Sequence, residues 1–118
     1  MTIHRRTALA GLAALAAARP AAAHHGWGGY DSGTVLTMEG PVLVSKYENP
    51  HGEVELMHAG KRWTCTLAPP FRMQSRGLPA EDIAVGKVVR VVGYPSRVRD
   101  AEMRVERIAA GGRTVELR

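Results

Sequence analysis

This sequence of 118 residues has little of what redox or stacking chemistry requires. Its single cysteine, Cys65, excludes an internal disulfide and any Cys-x-x-Cys motif. Its six aromatic residues (one Phe, three Tyr, two Trp) are too few for a good stacking platform. No apolar run reaches the roughly 20 residues that a membrane-spanning helix needs. The length fits one small domain.

The sequence also lacks the usual catalytic motifs. It contains no Ser-His-Asp spacing, no Gly-rich phosphate loop and no His-Glu-x-x-His motif. Glu53 and Glu55 alternate along a predicted strand, which is typical of a solvated face rather than of an acid/base pair. We therefore expect a binding protein and not an enzyme.

Residues 1–23 have the pattern of a signal peptide. They read MTIHRRTALAGLAALAAARPAAA: a basic start, a short apolar stretch, and small residues before a cleavage site after Ala23. The adjacent Arg5 and Arg6 favour twin-arginine export, with an ordinary secretory signal as the alternative. Because the apolar stretch is too short to span a bilayer, we expect a periplasmic protein without a stable membrane anchor after cleavage.

Cleavage would also remove most of the net positive charge. Residues 1–23 hold three arginines and no acidic residue, so the net charge of +5 falls to +2 in the mature chain. So small a charge gives no electrostatic basis for binding nucleic acid, and export argues against it as well.

The rest of the chain reads as short strands separated by turn residues. A first strand, TVLTMEGPVLVSKYE, is interrupted by Gly40-Pro41, which predicts a bulge or a bend. The segments GEVELMHAG and KRWTCTLA alternate cleanly and predict a hairpin. Pro69-Pro70 then begins a short helix, and KVVRVVGYPSR and EMRVERIAAGGRTVEL supply the remaining strands.

This order of elements predicts a mainly β fold. We expect a small barrel of the oligonucleotide/oligosaccharide-binding (OB) type, with five to six antiparallel strands and one short helix after strand 3. An open antiparallel sheet carrying one helix is the alternative. We assign residues 1–23 to the signal peptide, 24–33 to a flexible His/Gly-rich arm and 34–118 to the barrel.

Several segments together resemble a known family. HHGWGGYD, ENPHGEVEL, WTCTLAPPFRMQSRGL and GKVVRVVGYPSR are similar to small exported bacterial proteins of an uncharacterised family, domain of unknown function 6152. The resemblance covers essentially the whole mature chain, and its most specific marks are the Asn-Pro-His and Ala-Pro-Pro segments. It implies a periplasmic β-rich domain and carries no established activity.

The predicted cleavage exposes a potential metal chelator. A cut after Ala23 leaves His24 first, so its α-amino group and its imidazole can bind one ion together. Nitrogen donors in a square arrangement suit Cu(II). A cut one residue earlier would place His25 third in the chain, where the amine, backbone amides and imidazole can wrap Cu(II). Both cuts predict a copper-binding terminus.

A structured copper site also needs a ligand from the folded domain. His51 follows Asn49-Pro50 in a loop between the first two strands and is the leading residue for this role. Met103 is the thioether that we select as a soft ligand, whereas Cys65 fits a buried small hydrophobe. We thus predict a copper site of His24, His25, His51 and Met103. The alternative for each histidine is a surface or capping role.

A second function remains open at this stage. The domain would bind an oligosaccharide, peptide or protein partner, without a metal, on the usual face of the barrel. The side chains available for stacking and hydrogen bonding are Trp27, Tyr30, Trp63, Tyr94 and Arg97.

Overall fold

The computed structural model of the protein describes residues 26–118, so the predicted signal peptide, His24 and His25 lie outside the described residues. Within this range the chain forms seven β-strands, one short α-helix and two 3-10 turns. In chain order the elements are a 3-10 turn at Trp27–Gly29, β1 at Leu36–Pro41, β2 at Val44–Lys46, β3 at Glu53–His58, β4 at Lys61–Thr66, α1 at Pro70–Ser75, a 3-10 turn at Ala80–Ile83, β5 at Val88–Pro95, β6 at Glu102–Ala110 and β7 at Arg113–Glu116.

The predicted first strand is bent, and its two halves form β1 and β2. β1 pairs antiparallel with β5, and β2 pairs antiparallel with β3. The strand order is β1-β5-β6-β4-β3-β2, with β7 beside β6. Because the two halves of one bent strand lie at opposite ends of this order, the sheet curls into a half-barrel.

These elements confirm the mainly β fold with one short helix. Counting the bent strand once gives six strands, with α1 after the third of them. One pairing corrects the prediction of purely antiparallel strands: β4 and β6 are parallel, with Thr66 opposite Arg104. Parallel neighbours need a crossover connection, which α1, the second 3-10 turn and β5 provide. Alternation within a strand does not reveal the direction of its neighbour, so the sequence pattern missed this pair.

A bulge in β6 shapes the outer surface of the sheet. Val92 pairs with Arg107, whereas the next residue, Gly93, pairs with Val105, so Glu106 is an extra residue in β6. Glu106 and Arg107 consequently both face outward. The backbone approaches closely here, since a Cβ on Gly93 would lie 1.9 Å from the carbonyl oxygen of Arg104. Only glycine fits this position.

The interior of the half-barrel is apolar and tightly filled. Met73 of α1 is fully buried and packs beneath Gly52, where an added Cβ would lie 2.6 Å from the Met73 Cε. Thr66 is the buried polar side chain within residues 26–118, and it lies on the outer side of β4. The other buried core residues are Met38, Val42, Val54, Leu56, Cys65, Leu67, Ala68, Leu78, Ile83, Val89, Val91, Met103, Val105, Ile108, Ala110, Val115 and Leu117.

Within residues 26–118, no helix has both the length and the apolar character that crossing a membrane requires. The six-residue α1 is the longest helix in this range. The predicted export segment lies outside the range.

Candidate functional site

The described part of the predicted arm packs on the outer face of the barrel. The ring of Trp27 is contacted by two guanidinium groups, those of Arg104 at 4.8 Å and Arg118 at 4.6 Å from its centroid. The Tyr94 ring meets it edge-on, with a centroid separation of 6.0 Å and an interplanar angle of 76°. We call this arrangement, formed by Trp27, Tyr94, Arg104 and Arg118, the Trp27 clamp.

Backbone hydrogen bonds fix the same segment to the β5–β6 loop. The Asp31 N–H donates to the Pro95 carbonyl and the Arg97 N–H donates to the Gly29 carbonyl, both at 2.9 Å. Tyr30 forms an isolated antiparallel bridge with Ser96. Residues 29–31 are thus joined to the barrel almost as an additional short strand.

Asp31 ends this segment with a local turn. One of its carboxylate oxygens accepts the Gly33 N–H at 3.0 Å, and the other accepts the Thr34 hydroxyl at 2.8 Å. The hydrogen bond from Thr34, followed by that from Gly33, lowers the pKa of the Asp31 carboxyl. The turn directs the chain from the arm into β1.

Tyr30 is the arm residue whose side chain meets the sheet. Partial burial, reinforced by the nearby charge of Glu102, raises the pKa of its phenol, while a hydrogen bond with Thr66 acts in the opposite direction. Burial also lowers the pKa of the neighbouring Arg104, and the charges of Arg72 and Arg118 add to this effect. The arm therefore covers Thr66 on β4 and the charged side chains of Glu102 and Arg104 on β6.

The bulge supplies the acidic partner of the Trp27 clamp. A carboxylate oxygen of Glu106 accepts the Tyr94 hydroxyl at 2.8 Å, and this hydrogen bond is the main cause of the raised pKa of Tyr94. Arg118 lies 3.6 Å and Arg107 3.8 Å from the carboxylate of Glu106. Glu106 thus holds Tyr94 against Trp27 and offsets part of the positive charge.

Alternation at the start of β3 assigns His51 to the same outer side of the sheet. Gly52 points inward toward Met73, so alternation directs His51 outward together with Glu53. His51 is half-buried, and its Nδ1 lies 3.2 Å from the Gly52 carbonyl oxygen. Because a carbonyl can only accept, Nδ1 is the donor in this contact. In the neutral ring, the Nε2 lone pair is then available to a metal ion.

Met103 does not share this face. It pairs with Cys65 on the parallel neighbour β4, and both side chains are fully buried in the core. Met103 therefore points to the interior of the half-barrel, whereas His51 points outward. The structure does not bring these two predicted ligands together.

The remaining side chains with metal-binding potential have other surroundings. Burial, followed by the charges of Glu53 and Glu55, raises the pKa of the Cys65 thiol to about 12, so it stays protonated at neutral pH. His58 is half-buried and meets the Trp63 ring edge-on at 6.4 Å. Within residues 26–118, no group of three or more His, Cys, Asp or Glu side chains is arranged to hold a metal ion.

The side chains proposed for a non-metal ligand are largely brought together. A cavity of about 280 Å³ lies between the arm and the end of β5, and we call it the arm cavity. Trp63 is separate from it and lies beside the β5–β6 loop in a different depression. The residues that line the arm cavity are Trp27, Gly28, Tyr30, Ser32, Tyr94, Arg97 and Arg118.

Sequence reasoning missed Arg104, Glu106 and Arg118. In β6, charged Glu102, Arg104 and Glu106 alternate with buried residues, so the strand pattern does contain a signal for an outward charged row. No pattern linked that row to Trp27, because the contact depends on where the arm folds back.

Comparison with known sequences assigns the chain to a family but not to an activity. The search of curated proteins found no match. The matched family segment includes Trp27, His51 and Arg104 and ends before β7 and Arg118. By this match over residues 12–104, the chain belongs to the family of unknown function DUF6152.

Proposed function

We propose that the mature protein is an exported, periplasmic copper-binding protein. His24 would provide its α-amino and imidazole nitrogens, His25 a further imidazole, and His51 the ligand from the barrel. The observation that carries this proposal is the contact between His51 Nδ1 and the Gly52 carbonyl. Metal-binding histidines usually donate their second ring N–H to such an acceptor, which fixes the tautomer and the ring orientation.

The Gly52 carbonyl is itself held in place. It accepts the Leu67 N–H at 2.9 Å, and the Gly52 N–H donates to the Ala68 carbonyl at 2.8 Å. These two hydrogen bonds extend the β3–β4 ladder beyond its last regular pair. His51 is therefore attached to a rigid strand end, which favours a preorganised ligand.

The position of the arm supports a shared site with His51. Arg104 lies under the Trp27 ring and pairs with Thr66 on the neighbouring strand β4. Thr66 in turn pairs with Glu53 on β3, and Glu53 is two residues from His51. Two strand spacings and two residues along a strand separate Arg104 from His51 by about 12 Å. Three extended residues before Trp27 span about 10 Å, and an imidazole side chain adds to that reach. A reach of this length is what the proposed shared site requires of the segment before Trp27.

Copper suits this donor set better than other divalent ions. An amine and imidazoles are nitrogen donors, and Cu(II) has the highest affinity for them in the divalent series. Because residues 26–118 contain no group of three metal-binding side chains, the barrel adds His51 to a site whose other ligands come from the mature terminus. Met103 is left out of the proposed site because it is buried on the inner face.

The proposal is tested by calorimetric titration of Cu(II) into protein that begins at His24. We compare the protein with a free peptide of sequence HHGWGG and with the variant His51→Ala. We expect the protein to bind Cu(II) at least tenfold more tightly than the peptide, and His51→Ala to lose this advantage. Metal ligands and their hydrogen-bond partners commonly contribute a factor of about ten or more to metal affinity. His58→Ala is the matched control. Equal affinities of protein and peptide would refute the shared site.

Export is tested separately. The intact mass of the protein recovered from the periplasm, without chelators, shows whether His24 is the first residue and whether an ion is bound. We expect replacement of Arg5 and Arg6 by lysine to abolish export if the twin-arginine route is used. Continued export of that variant would indicate an ordinary secretory signal, and protein retained in the cytoplasm with its first 23 residues would refute cleavage.

A further inference from the structure

The arm cavity combines positive charge with aromatic and hydroxyl groups. Arg97 and Arg118 contribute guanidinium groups, Tyr30 and Tyr94 contribute rings, and Ser32 contributes a hydroxyl. Its volume of about 280 Å³ is just below the roughly 300–1,000 Å³ of typical small-molecule sites, so it fits a single sugar or ring rather than an oligomer.

Both arginines of the cavity are only loosely paired with carboxylates. Arg97 lies 3.8 Å from Asp31, whose two oxygens already accept hydrogen bonds within its own turn. Arg118 lies 3.6 Å from Glu106, which already accepts the Tyr94 hydroxyl. Both distances exceed those of a charge-assisted hydrogen bond, about 2.7–2.9 Å. The two guanidinium groups therefore keep donors for an incoming anion.

We propose that the arm cavity binds a small acidic sugar, a six-membered ring that carries a carboxylate. Arginine presents parallel N–H donors that match the two oxygens of a carboxylate. Ser32 and the tyrosine hydroxyls are suited to the hydroxyl groups of the ring, and the aromatic walls to its C–H faces. This site is distinct from the proposed copper ligands and does not depend on them.

The location of the cavity fits a ligand site. Arg97 belongs to the loop between β5 and β6, one of the loops that carry ligands in OB-type barrels. The backbone of Arg97 is fixed by its hydrogen bond to Gly29, so the loop and the arm form one wall together. A ligand held there would contact both the arm and the barrel.

The test is calorimetric titration of galacturonate into the mature chain in the presence of EDTA, which removes any copper. Galactose, the neutral analogue, and acetate, the isolated carboxylate, are the comparison probes. We expect galacturonate to bind at least about tenfold more tightly than either, because each charged hydrogen bond contributes a factor of that size. Equal binding of galactose or acetate would overturn the proposal.

Three variants locate the site. Arg97→Gln and Arg118→Gln each should weaken galacturonate binding about tenfold or more. Arg99→Gln is the matched control, because it removes the same charge from the same loop at a residue that does not line the cavity. An equal loss with Arg99→Gln would show a general charge effect and refute the assigned site.

A filling variant tests the cavity without removing charge. Gly28 lines the cavity, and a Cβ added to it meets no atom within 4 Å, so a leucine there adds bulk to the cavity lining without a clash. We expect Gly28→Leu to abolish galacturonate binding while the circular dichroism spectrum stays unchanged. Full binding by this variant would place the sugar elsewhere and contradict the proposal.

Discussion

Replacing Trp27 with alanine removes the ring that holds the arm on the barrel. Two guanidinium groups, at 4.8 and 4.6 Å, and the edge of Tyr94, at 6.0 Å, lose their partner. Each cation–π contact at a partly exposed site contributes about 0.5–1 kcal/mol, and an aromatic pair contributes about 0.5–1.5 kcal/mol. Because all three contacts share one ring, we expect the arm to be destabilised by about 2 kcal/mol, near the lower part of their sum.

Amide hydrogen exchange measures this loss where it occurs. The N–H groups of Asp31 and Arg97 are hydrogen-bonded between the arm and the barrel, so their exchange reports undocking of the arm. A loss of about 2 kcal/mol corresponds to exchange that is about 30-fold faster. Amides that pair β3 with β4 should keep their protection, since their hydrogen bonds lie within the sheet and not between the sheet and the arm.

The controls separate loss of the ring from a general effect. Trp27→Phe keeps an aromatic ring and should show a smaller increase in exchange at Asp31 and Arg97. Val35→Ala changes an exposed side chain after the arm, which is 62% accessible, and should leave both amides unchanged. If the amides of Trp27→Ala exchange within threefold of the original rate, the Trp27 clamp does not hold the arm and the reasoning fails.

Three further predictions concern single residues. Gly93→Ala should lower the free energy of unfolding in urea by about 3 kcal/mol, because its Cβ would meet the Arg104 carbonyl oxygen at 1.9 Å, whereas Gly28→Ala, with nothing within 4 Å, should change it little. Cys65 should resist iodoacetamide at pH 8 in the folded protein and react in urea, because its side chain is buried and its pKa is raised to about 12; rapid labelling of folded protein would contradict this burial. Because the pKa of Asp31 is lowered, its charge stabilises the arm at pH values above the ordinary pKa of 3.8, and this contribution is lost as the pH falls below 3.8. Docking of the arm, followed by tryptophan fluorescence, should therefore weaken below that pH. Asp31→Asn should remove this pH dependence.

Features with local causes were predictable from the sequence. The alternation of Glu53–His58 and Lys61–Thr66 predicted the β3–β4 hairpin, and the structure confirms it. The Gly40-Pro41 step predicted the bend between β1 and β2, and Pro70 begins α1 as expected. In each case the information lies within a few neighbouring residues.

Features that depend on distant contacts were not predictable in this way. The parallel pairing of β4 with β6 arises from a crossover and leaves no trace in the alternation of either strand. The Trp27 clamp joins Trp27 to two arginines more than 70 positions away in the sequence, so neither Arg104 nor Arg118 was assigned to the site from sequence. Met103 was selected because its thioether is a soft metal ligand. A thioether is the same on the inner and the outer face, so its chemistry did not indicate which face Met103 occupies.

The inner and outer faces of the sheet differ in what chemistry they permit. The buried core residues within 26–118 run in sequence from Met38 to Leu117. They fill the interior with apolar side chains and with the protonated thiol of Cys65. An interior of this kind cannot solvate an ion or accept a sugar. The outer face carries His51, the charged row of β6 and the arm that folds over it. Within residues 26–118, the arm contributes no residue to this core, so both proposed ligand sites lie on the outer side of the sheet.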